Sequence, residues 1–116
     1  MAVVEQVRKI LHQIKITIRG PRPPLDVRID PIHAIGYVRV RRGEVARTIE
    51  HSPGVLLDVD AGGRLLGIEL VNLKRRVVAR IKDVGDRYLD RSDEEEGALA
   101  EGLRAARAEI RRILVA

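Results

Sequence analysis

The chain has 116 residues and a mass of 13.0 kDa, which predicts a single domain over residues 1–116. Charged residues make up 34% of it and no apolar run approaches the roughly 20 residues of a membrane span, which excludes a membrane protein. The sequence contains no Cys, which excludes disulfides and thiolate metal sites, and no Phe or Trp, which argues against base stacking on aromatic rings. Because Met1–Glu5 lacks a signal-peptide pattern, we expect a cytoplasmic protein.

The basic residues are mostly Arg and are unevenly placed. The formal net charge is +5, and residues 1–24 and 74–91 each carry an excess of basic residues around a nearly neutral middle. The two basic segments form either an anion-binding face or basic elements that dock near the acidic C-terminal segment. An Arg-rich chain with one Asn and two Gln is typical of a thermophile, and a GC-rich genome gives the same bias.

The first 24 residues predict a helix and then a strand. Apolar residues recur at helical spacing over residues 2–13, which predicts a short amphipathic helix. Residues 14–18 alternate Ile with polar residues, the pattern of a half-buried strand. The proline-rich segment 20–24 cannot continue a strand and predicts a stiff connector.

From Leu25 to Leu70 the chain predicts successive short strands. Alternating apolar and polar residues are separated by turn signals, and Arg42-Gly43 predicts a tight turn between the second and third of these strands. Strands this close in sequence leave no room for crossover helices. We therefore predict an antiparallel meander of four to six short strands with its core in residues 26–72.

The C-terminal extension, residues 73–116, predicts two helices. Residues 73–88 have helical spacing, although Val77-Val78 favours a strand, and that alternative stays open. A capping box beginning at Ser92 predicts a long helix over 93–114. The predicted fold is thus α+β, with the meander flanked by an N-terminal helix and a long C-terminal helix.

An apolar stripe on the long C-terminal helix predicts a contact surface. Because this helix is longer than a small sheet needs, we expect it to form a homodimer; the alternative is packing across its own sheet. The candidate interface residues are Leu99, Leu103, Ala106, Ile110 and Leu114.

Five short blocks of the central segment resemble a known family. They are Tyr37-Val38-Arg39-Val40, Val45-Ala46-Arg47-Thr48, Gly54-Val55, Asp58-Val59-Asp60 and the block from Gly63 to Leu70. In this order they resemble the small prokaryotic family called domain of unknown function 2283 over about residues 26–72. The family has no established activity, so the resemblance implies no catalytic residues. It does imply an antitoxin-like role, with a small toxin as partner.

Two patterns are candidates for metal sites. Asp58, Asp60, Gly63 and Glu69 match four positions of a calcium-binding EF-hand loop, but Gly62 lacks a ligand oxygen and the flanking segments alternate like strands. We therefore interpret this segment as a β-hairpin. His12, His33 and His51 lack the spacing of metal ligands and are interpreted as exposed loop residues.

These patterns favour a noncatalytic protein without cofactor or metal. The principal hypothesis is a protein-interaction or regulatory module with a second copy or a small protein as partner. The alternative is a nucleic-acid-binding protein that contacts phosphates through a basic cluster. Its candidate residues are Lys74, Arg75, Arg76, Arg80 and Lys82.

Overall fold

The computed structural model describes residues 14–18 and 25–115. They form six strands and two helices, which confirms the α+β class; the helix predicted over 2–13 lies outside the described residues. The strands are β1 Ile14–Ile18, β2 Leu25–Asp30, β3 Ile35–Arg39, β4 Arg47–Ser52, β5 Val55–Val59 and β6 Leu65–Leu70. The helices are α1 Arg75–Tyr88 and α2 Glu94–Val115. Neither of these two helices is long and apolar enough to cross a membrane.

The sheet is antiparallel throughout, but its strand order is β1-β2-β3-β6-β5-β4 rather than a meander. Two three-stranded meanders are joined where β3 pairs with β6, with Val38 opposite Ile68. The reason is the distribution of apolar residues. Strand β6 is buried at five of its six positions and lies in the middle, whereas the polar β4 lies at the edge.

The tight turn predicted at Arg42-Gly43 is therefore wrong. Residues 40–46 form an irregular loop that leads from the middle of the sheet to its far edge. The backbone of Gly43 lies against Leu66, and a Cβ at Gly43 would stand 2.7 Å from Leu66 Cδ2. The loop thus approaches β6 closely at Gly43, where a side chain would have to displace the end of Leu66, and it does not form a hairpin.

Both helices pack against one face of the sheet, which we call the covered face. Alternate residues of β2, β3, β5 and β6 form a continuous core with the apolar sides of α1 and α2. Gly102 of α2 lies against Leu25, and Gly54 at the start of β5 lies against Val77 of α1. The helical prediction for 73–88 is confirmed, since its apolar residues are buried in this core.

The apolar stripe on α2 packs into the core of the same chain. Leu99, Leu103, Ala106 and Ile110 are at most 1% exposed, and Leu114 packs against the same core. The stripe packs across the chain's own sheet, so these residues do not offer a free surface to a second subunit. The helix begins one residue later than predicted, because the carboxylate of Asp93 accepts the Glu96 N–H.

Candidate functional site

The opposite face of the sheet, which we call the open face, carries polar and charged side chains. Two rows of cross-strand neighbours run across it, and their side chains are half-buried or exposed, apart from the buried Gly67. The first row is Asp26, Arg39, Gly67, Asp58 and Thr48. The second row is Arg28, Tyr37, Glu69, Leu56 and Glu50.

A hydrogen-bonded cluster joins three strands on the open face. The Tyr37 hydroxyl on β3 donates to Asp58 Oδ2 on β5 over 3.0 Å, and Thr48 Oγ1 on β4 donates to Asp58 Oδ1 over 2.8 Å. Strand β6 lies between β3 and β5, so the Tyr37 ring must cross it. It does so over Gly67, where any Cβ would collide with the ring and hydroxyl. Gly67 is therefore what allows Tyr37 to reach Asp58.

The surroundings of two acidic groups on the open face disfavour their ionised forms. Burial raises the pKa of Glu69, and the nearby charge of Asp58 raises it further. Burial likewise raises the pKa of Tyr37 well above its usual range, with a further contribution from the Asp58 charge. Within residues 25–115, Glu69 has no hydrogen bond or ion pair that would compensate its charge. It is a partly buried carboxylate without a cation.

Charge is unevenly distributed over the open face. Strands β2 and β3 contribute Arg28 and Arg39, which are exposed and make no hydrogen bond or ion pair with the part of the chain that the structure describes. Strands β6, β5 and β4 contribute Glu69, Asp58 and Glu50. Asp26 also lies on β2, so the β2–β3 half carries two arginines and one aspartate, while the charged side chains that β4, β5 and β6 contribute to this face are acidic.

The turn between β2 and β3 is built on a buried carboxylate. Asp30 is 1% exposed, and its Oδ1 accepts the N–H groups of Ile32 and His33 at 3.1 Å. Its Oδ2 lies 2.7 Å from Nδ1 of His33. Burial alone would raise the pKa of Asp30, but the hydrogen bonds from His33 and Ile32 lower it overall. These contacts stabilise the turn at the end of the open face.

The EF-hand-like spacing is a β-hairpin, as interpreted. Asp60 Oδ1 accepts the N–H groups of Gly62 and Arg64, and Oδ2 accepts from the Arg64 guanidinium. Asp58 is turned instead toward Tyr37 and Thr48. Within the described ranges, no group of three or more His, Asp or Glu side chains is arranged to hold a metal ion.

The interpretation of the histidines as exposed loop residues is wrong for His51 and incomplete for His33. His33 does lie in the β2–β3 turn, but its side chain is only 30% exposed and is bonded to Asp30. His51 is a half-buried residue of β4, and its ring packs edge-on against Tyr88 with centroids 6.2 Å apart. His12 lies outside the described residues.

The basic cluster of α1 divides into two parts. Arg80 pairs with Asp83 at 3.0 Å and Lys82 pairs with Asp86 at 3.1 Å. Lys74, Arg75 and Arg76 are exposed at the start of α1, where the first turn holds no acidic residue, and they have no ion pair with any described residue. Cations at a helix N-terminus oppose the helix dipole, so these three charges are not there to stabilise α1.

The loop of residues 40–46 is joined to α2 by an ion pair. The Arg41 guanidinium binds Glu96, and both side chains are largely buried, at 15% and 24% exposure. The hydrogen bond from Arg41, with a second from the Asp90 backbone, lowers the pKa of Glu96. This acidic first turn therefore contributes an anchor for the loop as well as charges for the helix dipole.

Comparison with known proteins finds a match for the part of the chain that forms β2 to β6. Residues 26–74 match the family model described as Protein of unknown function (DUF2283). This confirms the resemblance expected for residues 26–72. Neither the comparison with curated proteins nor that with solved structures found a match. The DUF2283 segment begins at Asp26 on the open face of β2 and ends at Lys74, just before α1.

The open-face residues come from four of the five blocks that carry the resemblance. Tyr37, Thr48 and Asp58 come from three separate blocks of the resemblance, and Gly67 and Glu69 come from a fourth. The sequence pattern links only Asp58 and Glu69, as candidate calcium ligands, and does not group Tyr37, Thr48 and Gly67 with them. The signal that was available is the alternation itself, which places all five on the polar side of their strands.

Proposed function

We propose that this protein is a noncatalytic protein-interaction module that binds its partner through the open face of the sheet. The observation that supports this is the arrangement of two helices on one side of the sheet and of unpaired charged side chains on the other. Among the residues that the structure describes, Arg28, Arg39 and Glu69 have no ion-pair partner. A partner that supplies opposite charges would satisfy all three.

The cluster around Asp58 fits a recognition surface better than an acid–base site. Both carboxylate oxygens of Asp58 already accept hydroxyl protons, and the raised pKa of Tyr37 makes its phenol a poor proton donor near neutral pH. The three side chains hold β3, β4 and β5 in a fixed arrangement. The cluster therefore presents a rigid surface, which lowers the entropic cost of binding.

A matched pair of charge reversals tests this proposal on the partner that co-purifies from the source organism. Glu69→Arg changes the open face, and Glu101→Arg makes the same change on the exposed side of α2. We expect Glu69→Arg to weaken the affinity for the identified partner at least tenfold and Glu101→Arg to leave it unchanged. Equal effects of the two variants, or an effect of Glu101→Arg alone, would contradict the open face as the binding surface.

A second candidate function is binding of nucleic-acid phosphates by Lys74, Arg75 and Arg76. It is supported by the three exposed cations without ion pairs at the start of α1. Replacing all three by Ala should flatten the dependence of log K on log salt for a DNA duplex by about 2.7, because each phosphate contact contributes about 0.9. The Arg80→Ala/Lys82→Ala variant is the control, since both cations are paired within α1. Absence of salt-dependent binding by the unaltered chain would eliminate this candidate.

The antitoxin-like role implied by the resemblance is one form of the principal proposal. In that form the partner is a small toxin, and it occupies the same open face. The charge reversal at Glu69 tests this form as well, because it changes the surface whatever the partner is.

A further inference from the structure

We propose that one end of the sheet binds an acidic protein segment in which carboxylates lie beside a large apolar side chain. This end, which we call the turn end, consists of the β2–β3 turn of residues 31–34, Val71 and the start of α1 at residues 74–76. The turn end is separate from the open face, so its ligand is additional to the partner proposed above. It includes the three cations of the second candidate function, and the test separates the two ligands.

Backbone hydrogen bonds hold the parts of the turn end together. The Leu73 N–H donates to the Ala34 carbonyl over 2.9 Å, which places the start of α1 beside the β2–β3 turn. The Val71 N–H donates to the Gly54 carbonyl over 2.9 Å, at the same end of the sheet, because β3 and β5 begin where β6 ends. Lys74 follows Leu73 directly. Apolar and basic residues from different parts of the chain therefore meet at one end of the sheet.

Two large apolar side chains at the turn end are exposed. Ile32 is 66% exposed and Val71 is 46% exposed. In the part of the chain that the structure describes, the other exposed large apolar side chain is Val45, at 48%, in the loop at the opposite end of the sheet. The turn end thus offers apolar surface that a ligand can bury.

The β2–β3 turn presents Ile32 in a fixed conformation. The buried carboxylate of Asp30 accepts the N–H groups of Ile32 and His33, each over 3.1 Å. Ala34 has a φ of 56°, in the left-handed region that residues other than glycine rarely adopt. Such a residue persists only where its surroundings hold it, here through Asp30 on one side and Leu73 on the other. A surface that is already ordered loses less entropy when it binds a ligand.

The exposed charge at the turn end is positive. Lys74, Arg75 and Arg76 are exposed and form no ion pair with any residue of the described ranges. They follow Val71 closely in the sequence, so cations and apolar surface adjoin. A ligand that carries negative charge next to an apolar group would match both.

Acidic side chains of the chain do not cancel these three charges. Asp30 is buried and bonded within its own turn. Glu69 and Glu50 lie near the same ends of β6 and β4, but both belong to the second row of the open face. Glu109, toward the end of α2, is paired with Arg112 over 2.7 Å. The turn end is therefore complementary to an acidic ligand.

The apolar side chains favour a protein segment over a nucleic acid. A nucleic-acid backbone would satisfy the cations and leave Ile32 and Val71 in water. Bases could not stack on Phe, Tyr or Trp here, because the chain has no Phe or Trp, Tyr37 lies on the open face and Tyr88 ends α1. Carboxylates beside an apolar side chain would pair the cations and bury the apolar surface together.

The test is selection of a random peptide library, displayed on phage, against the full chain. We expect the selected peptides to be enriched in Asp and Glu beside large apolar residues. Their affinity should fall roughly tenfold in the Ile32→Ser/Val71→Ser variant and again roughly tenfold in the variant with Lys74→Ala, Arg75→Ala and Arg76→Ala. Enrichment of basic or purely polar peptides, or unchanged affinity in either variant, would overturn the proposal.

Matched variants elsewhere on the chain are the controls. Val45→Ser removes exposed apolar surface at the opposite end, and Arg80→Ala/Lys82→Ala removes two cations that are paired within α1. Both should leave peptide affinity unchanged, and circular dichroism confirms that each variant is folded. Glu69→Arg separates the turn end from the open face. Peptide binding that is lost in Glu69→Arg and kept in the turn-end variants would overturn this inference and leave the proposed function intact.

Alkylation of introduced thiols tests the same surface without depending on a loss of affinity. The chain has no Cys, so Ile32→Cys and Val45→Cys each carry a single thiol. In the free chain both thiols should react at similar rates, and a saturating selected peptide should slow the reaction at position 32 several-fold and leave position 45 unchanged. Slow reaction at position 32 in the free chain would show that the turn end is covered by another part of the chain or by a second copy. Equal protection of position 32 by a DNA duplex would return this surface to the second candidate function. Either result would overturn the proposal.

Discussion

The two faces of one sheet have opposite relations to the rest of the chain. On the covered face, the core residues of β2, β3, β5 and β6 pack against the apolar sides of α1 and α2, and strand residues such as Val27 and Leu70 are completely buried. On the open face, both carboxylate oxygens of Asp58 accept hydrogen bonds, but Arg28, Arg39 and Glu69 form no ion pair with any residue that the structure describes. The difference shows that burial fixes the fold on one side while unpaired charge is left available on the other.

Neighbouring residues on β6 test this contrast most strongly. Ile68 is fully buried on the covered face, and Glu69 lies next to it on the open face. We expect Ile68→Ala to lower the free energy of unfolding by about 2–5 kcal/mol through cavity formation. Glu69→Ala should change it by less than about 0.5 kcal/mol, as at other surface positions. Urea denaturation measures both. Similar losses for the two variants would show that the open face is covered in solution.

The next largest expected loss of stability comes from blocking the place where the Tyr37 ring crosses Gly67. Gly67→Ala places a methyl group where the ring lies, and we expect a loss of about 1–3 kcal/mol from overpacking. Gly62→Ala is the control, since its Cβ would make only an ordinary contact of 3.5 Å. In a Tyr37→Ala background the ring is absent, so Gly67→Ala should lower the free energy of unfolding much less. Chemical denaturation of the unaltered chain, the two single variants and the double variant measures the difference. An unchanged cost in that background would contradict the crossing geometry.

The smallest expected effect is the stability change caused by replacing Glu69, which should depend on pH. Its pKa in the folded chain is raised above the reference value of 4.5, so the ionised form destabilises the fold. Glu69→Gln should therefore stabilise the chain at neutral pH, by less than about 1 kcal/mol because the side chain is half in solvent. This gain in stability should shrink as the pH falls through the pKa of Glu69 in the folded chain. It should be absent below the pKa of Glu69 in the unfolded chain. Thermal unfolding as a function of pH measures this gain. A gain that persists at low pH would contradict this cause.

Much of the fold was predictable because it depends on local patterns. Alternation identified the strands, the four-residue spacing identified α1, and the acidic turn before Glu96 identified the start of α2 to within one residue. The strand order was not predictable from alternation, because a period of two says which side chains share a face and nothing about which strands pair. The polar content of β4 was the available signal, since a strand with Arg47 and Glu50 suits an edge.

The candidate site was harder to predict than the fold. Tyr37 and Asp58 are 21 residues apart, and they meet only because β6 inserts between β3 and β5 with a glycine at the crossing point. A meander would have put β4, which contains no glycine, between β3 and β5. The basic cluster was found because its residues lie close together in sequence. Contacts that depend on strand order are visible only once the order is known.

The two tyrosines offer the most direct test of the open face as the binding surface. Both are half-buried, Tyr37 on the open face and Tyr88 at the end of α1, so each is a control for the other. The measurement is the rate of hydroxyl-radical oxidation at each ring, in the free chain and in its complex. We expect partner binding to slow oxidation of Tyr37 several-fold and to leave Tyr88 unchanged. Protection of Tyr88 alone, or no protection of Tyr37 in a saturated complex, would contradict the account.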